Sequence, residues 1–104
     1  MLPRRLERLP ARRLPGGLCV FSACSFRARL LGLALLDDVP AGCALLMPGC
    51  SSVHTFGMRF PIDVVFLDRE GRVARIARRV PPRRFVRCRA AAAVLESPSP
   101  GRTR

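Results

Sequence analysis

The chain has 104 residues, which is enough for one domain with a modest hydrophobic core. Its 19 basic residues, all arginine, outnumber 7 acidic ones, and the formal net charge of +12 favours polyanions and acidic membrane surfaces as partners. No apolar run approaches the ~20 residues of a membrane span, so the sequence predicts no transmembrane helix.

The arginines are clustered along the chain. Five lie in residues 1–13, and nine lie between Arg69 and Arg89. The simplest interpretation is a basic tail plus a solvated face, and the alternative is a surface selected to bind anions. Because interleaved aromatic residues and nucleic-acid motifs are missing, the sequence predicts at most weak, non-specific contact with polyanions.

Residues 1–17 are predicted to be a basic flexible tail, because their prolines leave room for barely two helical turns. The apolar stretch from Leu18 to Cys24 is short for the core of a secretory signal, and Pro15-Gly16-Gly17 interrupts its approach. The sequence therefore favours a cytoplasmic location, with export by a degenerate N-terminal signal as the alternative.

The single β-rich domain is predicted to span residues 18–96. Residues 18–23 are typical of a first strand, and Ser25 is a suitable N-cap for one short helix near residues 25–36. Phe26, Leu30 and Leu33 would share one face of that helix. Gly32 inside it weakens a helix by about 1 kcal/mol relative to Ala, so it is predicted to be the weak point unless another group packs against its backbone.

Short strands separated by turns fill the rest of the domain. The segment from Ile62 to Leu67 is the strongest strand, since it is nearly all β-branched or aromatic. A hairpin turn follows at Asp68-Arg69-Glu70-Gly71, with Gly71 in the left-handed position. Further strands are predicted at residues 43–47, 53–58, 72–77, 85–87 and 91–96. Residues 97–104 are predicted to be a disordered C-terminal tail.

This pattern predicts a mainly β fold, a compact sandwich or barrel with one embedded helix. The five cysteines do not alter that conclusion. Cys50 and His54 have a C-x3-H spacing, but the remaining cysteines do not form the close-spaced pairs of a structural zinc site. The sequence therefore predicts no bound metal and no cofactor.

Several short motifs in fixed order carry a resemblance to a known family. Arg29 to Leu33 matches an R-x-x-G-L element, and the blocks Phe56–Met58, Pro61–Asp63 and Phe66–Gly71 follow. Over about residues 18–96 the chain resembles the bacterial and archaeal family known as domain of unknown function 192.

The resemblance implies a compact β-sandwich of jelly-roll character with no settled activity. It also implies an envelope- or secretion-associated protein as one class of partner, because many family members carry an export signal. The motif positions expected to be structural are Arg29, Gly32, Pro61, Asp68 and Gly71.

Asp63 is the most informative polar residue, because it lies in an apolar strand where an unsatisfied carboxylate costs several kcal/mol. One interpretation is structural: Asp63 caps a backbone turn after Pro61, or pairs with Arg29 or Arg59. The other is functional: Asp63 is the polar floor of a ligand pocket surrounded by His54, Met58 and Arg59. The alternative for His54 is a surface or satisfied core residue, and for Met58 it is core packing.

Three function classes follow, in this order. The first is a non-enzymatic module that binds a small-molecule ligand or a partner protein. The second is an arginine-rich protein that contacts polyanions or membrane surfaces. The third is a hydrolase with Cys50 or Ser52 as nucleophile, His54 as base and Asp63 as orienting group, although no nucleophile elbow or oxyanion loop accompanies them.

Overall fold

The structure, a computed structural model, describes residues 2–36, 39–40 and 42–100. Its helices are α1 (Arg4–Glu7) and α2 (Phe26–Leu31). Its strands are β1 (Ala11–Arg13), β2 (Cys19–Ser22), β3 (Cys43–Pro48), β4 (Ser52–His54), β5 (Ile62–Leu67), β6 (Val73–Val80), β7 (Phe85–Arg87) and β8 (Ala93–Pro98). No helix in this described part of the chain is both long and apolar enough to cross a membrane.

The strands form two sheets, which confirms the predicted mainly β, sandwich-like fold. The large sheet has the order β1-β2-β3-β8-β5-β6, and the small sheet pairs β4 with β7. All pairs are antiparallel except β2 with β3, which α2 connects. Within the described residues β1 and β6 end the large sheet, so this sheet is open and does not close into a barrel.

The central strands β5 and β8 carry the buried face of the large sheet. Ile62, Val64 and Phe66 alternate along β5 and are fully buried. Register places Val64 opposite Glu96 and Phe66 opposite Val94 on β8, so Glu96 lies on this same core face. Asp63 pairs with Ser97 and therefore lies on the other face.

Helix α2 is shorter than the sequence predicted. Ser25 is the N-cap, and its Oγ accepts a hydrogen bond from the Ala28 N–H at 3.0 Å, as expected. The helix ends at Leu31 because Gly32 adopts a φ of +53°, which lies outside helical geometry. Gly32 therefore terminates the helix, and its predicted place inside the helix was wrong. The side chains of Phe26 and Leu30, predicted to share a helix face, lie outside the described part of the structure.

The N-terminal segment predicted as a flexible tail forms secondary structure. β1 pairs antiparallel with β2 and extends the sheet, and Leu6 of α1 is buried in the core. The Arg5 Nη2 donates to the carbonyl oxygens of Gly32 at 2.7 Å and Ala34 at 2.8 Å. Core contact and these bonds position the segment despite its prolines.

The β5–β6 hairpin has the predicted turn. The Asp68 Oδ1 accepts hydrogen bonds from the Glu70 and Arg72 N–H groups, both at 2.9 Å, and Gly71 has a φ of +81°. Away from the turn, the register between β5 and β6 shifts by one residue: Ile62 pairs with Val80, whereas Val64 pairs with Ala77. Two residues of β6, Arg78 and Arg79, therefore bulge opposite Asp63.

Several strand boundaries differ from prediction; β6, for example, runs to Val80, beyond the predicted end at residue 77. β4 ends at His54 because the chain turns at once, with the Met58 N–H donating to the Thr55 carbonyl at 3.1 Å. β8 continues to Pro98, beyond the predicted domain end at residue 96. The next residue, Ser99, is buried, and its N–H donates to the Pro61 carbonyl at 3.1 Å. Residues 101–104 of the predicted C-terminal tail lie outside the described residues.

Candidate functional site

A pocket of about 360 Å³ lies where β8, the end of α2 and the small sheet meet. We call it the Glu96 pocket. Its lining residues are Arg29, Leu31, Gly32, Cys50, Ser52, Val53, His54, Phe85 and Glu96. Leu31, Val53 and Phe85 supply apolar walls, and a few polar groups converge among them, which is the usual make-up of a small-molecule site.

Glu96 is the group with the most unusual environment. Only 1% of the residue is exposed, because β8 directs it to the core face. Its Oε1 accepts one hydrogen bond, from the Leu33 N–H at 3.3 Å, and no cation of the described residues forms an ion pair with it. Burial raises the pKa of Glu96 to about 7, against the smaller opposing effect of that hydrogen bond. Near neutral pH a large fraction of Glu96 is therefore a neutral carboxylic acid.

Gly32 makes room for this carboxyl group. A Cβ at position 32 would stand 2.7 Å from the Glu96 Oε1, closer than real Cβ atoms approach. The positive φ of Gly32 adds a second reason for glycine. The Arg5 side chain donates to the Gly32 carbonyl, so α1 helps to hold the turn that lies beside Glu96 in the pocket.

Cys50 and Arg29 flank the carboxyl group in the pocket. Burial raises the pKa of the Cys50 thiol, and the negative charge of Glu96 adds to this while the positive charge of Arg29 opposes it. The Arg29 Nη1 donates to the Cys24 carbonyl at 2.8 Å, which fixes the guanidinium beside the helix start. A raised pKa disfavours the thiolate, which is the nucleophilic form of cysteine.

The structure separates the four residues predicted to form a ligand site. His54 lines the Glu96 pocket, and its ring lies 6.0 Å from that of Phe56. Met58 is buried in the core, Arg59 is exposed, and Asp63 lies on the other face of the large sheet; none of these three lines the pocket. A ligand role for Met58, Arg59 and Asp63 remains a sequence prediction.

Asp63 instead binds the backbone across the sheet. Its Oδ1 accepts hydrogen bonds from the Arg79 N–H at 2.9 Å and from the Ser99 Oγ at 2.8 Å. The Arg79 N–H lies at the bulge, where one residue of a strand loses its ladder partner. Arg78 adds an exposed guanidinium 3.8 Å from the Oδ2. These contacts support the structural interpretation of Asp63, with the bulge as the group that is capped.

Sequence reasoning missed Glu96 as a site residue. Residues 91–96 were assigned to a strand, and alternation along it puts Val94 and Glu96 on one face. The sequence did contain an indication: Glu96 lies two positions after the apolar Val94, so in a strand both side chains face the same side of the sheet. The pairing that buries this face involves β3 and β5, which lie far away in sequence.

Metal binding has little structural support in the described ranges. No group of three or more His, Cys, Asp or Glu side chains there is placed to hold a metal ion. The cysteines at 19, 24, 43, 50 and 88 all have free thiols.

The comparison with protein families identifies the chain's relatives. The model of the family described as DUF192, an uncharacterized ACR, matches residues 16–102. The chain belongs to this family, which confirms the resemblance carried by the Phe56–Met58 and Pro61–Asp63 motifs. No curated protein matches the chain significantly.

Two solved structures share the fold. A protein of unknown function from Novosphingobium aromaticivorans DSM 12444 is 16% identical, with a TM-score of 0.71 over 96% of this chain and 89% of that one. A Sinorhizobium meliloti 1021 protein named a "putative transcription regulator" is 20% identical, with a TM-score of 0.72 over 86% of this chain and 78% of that one. At such identities the likeness shows the fold alone.

Proposed function

We propose that this protein is a non-enzymatic module that binds a small molecule in the Glu96 pocket. One observation carries the proposal: Glu96, a residue that is 1% exposed, lines a pocket of about 360 Å³ with a carboxyl group that accepts a single hydrogen bond, from the Leu33 N–H. Buried polar groups are normally fully hydrogen-bonded, so a carboxyl group with remaining capacity beside a pocket is suited to a ligand.

The chemistry of the pocket selects the ligand class. In its protonated form, which a pKa of about 7 makes common near neutral pH, the carboxyl group donates its O–H, so the matching ligand end is a hydrogen-bond acceptor such as a carbonyl or carboxylate. Leu31, Val53 and Phe85 match an apolar ligand body. Arg29 in the wall and the net charge of +12 favour an anion over a cation.

The hydrolase alternative has less support. Cys50, Ser52 and His54 do line one pocket, but Asp63, the predicted orienting group, does not. The raised pKa of Cys50 also disfavours the thiolate. We expect an activity-based thiol probe to label the folded protein no faster than a simple cysteine peptide does.

Three probes with the same ring and different charge test the proposal: benzoate, benzamide and benzylamine. Binding to the full chain is measured by calorimetry at pH 6 and pH 8. We expect benzoate to bind about tenfold more weakly at pH 8, since the neutral fraction of an acid with a pKa of about 7 falls about tenfold over that range. Benzamide should follow the same trend, and benzylamine should not bind better than either at pH 6.

Matched variants locate the binding. Glu96→Gln should still bind benzoate through its amide N–H but with little change between pH 6 and pH 8, and His54→Gln tests whether histidine contributes to that change. Asp63→Asn is the control, because Asp63 lies on the other face of the sheet. The proposal fails if no probe binds at millimolar concentration, or if Asp63→Asn weakens benzoate as much as Glu96→Gln changes it.

A further inference from the structure

The outer edge of the large sheet is formed by β6, the longest strand of the described chain. β6 pairs with β5 on one side, and no described strand pairs with its other side. The residues from Val73 to Ile76 are all exposed, although β5 beside them is mostly buried. An edge strand of this length presents unpaired backbone N–H and C=O groups that can pair with another extended chain.

The side chains of this edge combine apolar and basic character. Val73 is 57% exposed and Ile76 is 44% exposed. Arg75 and Arg78 on β6, and Arg72 directly before it, are also exposed. Between residues 69 and 89 the chain has nine arginines and one acidic residue, Glu70. The edge therefore favours a partner that is extended, partly apolar and negatively charged.

Not all of these arginines are equally available to a partner. The Arg75 Nη1 donates to the Arg87 carbonyl at 2.7 Å, and the Arg79 Nη1 to the Pro100 carbonyl at 3.2 Å. The Arg78 side chain is 70% exposed and 3.8 Å from the nearest carboxylate oxygen, a separation that holds it weakly. Arg72 and Arg78 are therefore the two guanidinium groups best placed to contact a strand laid along β6.

We propose that β6 binds an extended acidic segment of a partner protein, which adds to the large sheet as a further antiparallel or parallel strand. This inference is independent of the Glu96 pocket. Backbone hydrogen bonds would supply affinity, and acidic side chains facing Arg72 and Arg78 would supply selectivity. A second copy of this chain is a poor occupant, because pairing β6 with itself would bring like charges together.

The opposite edge of the sheet provides a natural comparison. β1 is also an exposed edge strand with arginines, but it has three residues, Ala11, Arg12 and Arg13. Short edge strands offer too few backbone groups for stable pairing. The edge at β6 offers eight residues, so strand addition should occur there and not at β1.

The test uses the full chain and a fluorescent eight-residue peptide of alternating Glu and Val. A second peptide has the same sequence with every other backbone nitrogen methylated, which preserves its charge but removes donors from one edge. We expect the first peptide to bind, and the methylated one to bind at least about tenfold more weakly, because losing even two hydrogen bonds gives a change of that order. Binding is measured by fluorescence anisotropy.

Two charge variants map the binding edge. Arg72→Glu with Arg78→Glu should reduce peptide affinity at least about tenfold, whereas Arg12→Glu with Arg13→Glu changes net charge equally and should change affinity less than about threefold. Circular dichroism checks that both variants fold.

Equal binding of the two peptides would overturn the proposal in favour of general polyanion contact, and heparin binding as tight as that of the unmodified peptide would do the same. No peptide binding, or equal loss in both variants, would also overturn it.

Discussion

Asp63 and Glu96 are both buried carboxylates on neighbouring strands, β5 and β8, yet they face opposite sides of the large sheet. Asp63 is 8% exposed and accepts hydrogen bonds from a backbone N–H and a serine hydroxyl. Glu96 accepts one hydrogen bond and faces a pocket. Both carboxylates are therefore buried, but Asp63 accepts more hydrogen bonds than Glu96 does.

The number of hydrogen-bond donors distinguishes a structural carboxylate from a candidate binding group. The donors around Asp63 come from the β6 bulge and from Ser99, so its charge stabilises a local irregularity of the sheet. Few donors reach Glu96, and burial raises its pKa to about 7. A buried acid with so few donors around it is consistent with the proposed role in binding.

The largest expected effect is that of Glu96→Gln. In the unfolded chain Glu96 ionises with its ordinary pKa of 4.5, and in the folded protein with a pKa of about 7. Because this acid is harder to ionise when folded, its contribution to the free energy of unfolding falls as the pH rises from about 4.5 to 7, by about 3 kcal/mol in total. Because glutamine does not ionise, the Glu96→Gln variant does not lose this free energy of unfolding as the pH rises.

Urea denaturation of both proteins at pH 4.5, 6 and 8 checks this prediction. The variant should be close to wild type at pH 4.5 and more stable by about 3 kcal/mol at pH 8. Other titrating groups are common to both proteins and cancel in the difference. A stability difference that stays constant with pH would show that Glu96 titrates normally in the folded protein, and the comparison with Asp63 would lose its basis.

The second effect concerns the space beside the carboxyl group. Gly32→Ala should lower the free energy of unfolding by about 2 kcal/mol, because the new Cβ would meet the Glu96 Oε1 at 2.7 Å and would also disfavour the positive φ. Thermal denaturation at pH 6 measures it. In the Glu96→Ala background the contact is absent, so the same substitution should cost less there. Equal costs in both backgrounds would assign the whole effect to the backbone.

The third effect concerns Asp63. Asp63→Ala would leave the donors of Arg79 and Ser99 without an acceptor and should cost roughly 1–2 kcal/mol. Asp63→Asn keeps an acceptor oxygen and should cost less. At pH 8 both Asp63 substitutions should lower the free energy of unfolding, whereas Glu96→Gln should raise it. These opposite effects distinguish the two carboxylates most clearly. An alanine variant as stable as wild type would show that Asp63 is retained for function.

The smallest effect is that of Arg78→Ala. This guanidinium is 3.8 Å from the Asp63 Oδ2 and its side chain is 70% exposed, so solvent screens the pair. The expected cost is below about 0.5 kcal/mol in urea denaturation. A cost that matches Asp63→Ala would mean that the ion pair, and not the bulge N–H, is the main partner of Asp63.

Local features were predictable from the sequence, and pairings distant in the chain were not. The strand from Ile62 to Leu67 and the turn at Asp68 to Gly71 follow from β-branched composition and turn chemistry, and both match the structure. Gly32 was predicted to be the weak point of a helix unless another group packs against it, and the group beside it is Glu96, 64 positions later in the chain. Nothing local to either residue indicates that contact.

The N-terminal segment was misjudged for a related reason. Its prolines and arginines disfavour an independent helix or strand, so local rules predict a tail. Leu6 nevertheless reaches the core, and Arg5 donates to carbonyls of the turn after α2. Contacts with residues distant in the chain stabilise a segment whose own helix and strand propensities are low. The sequence of the segment alone does not indicate those contacts.

The position of β8 has a consequence for how the chain assembles. β8 lies between β3 and β5, although it is the last of the described strands in chain order. Until it is synthesised, β1-β2-β3 and the β5–β6 hairpin are separate pieces, each with an open edge where β8 belongs. The sheet therefore closes late, after long-range loop closure, which slows folding. During translation the edges that β8 later covers are open to pairing with other nascent chains, and this exposure ends only when β8 inserts between them.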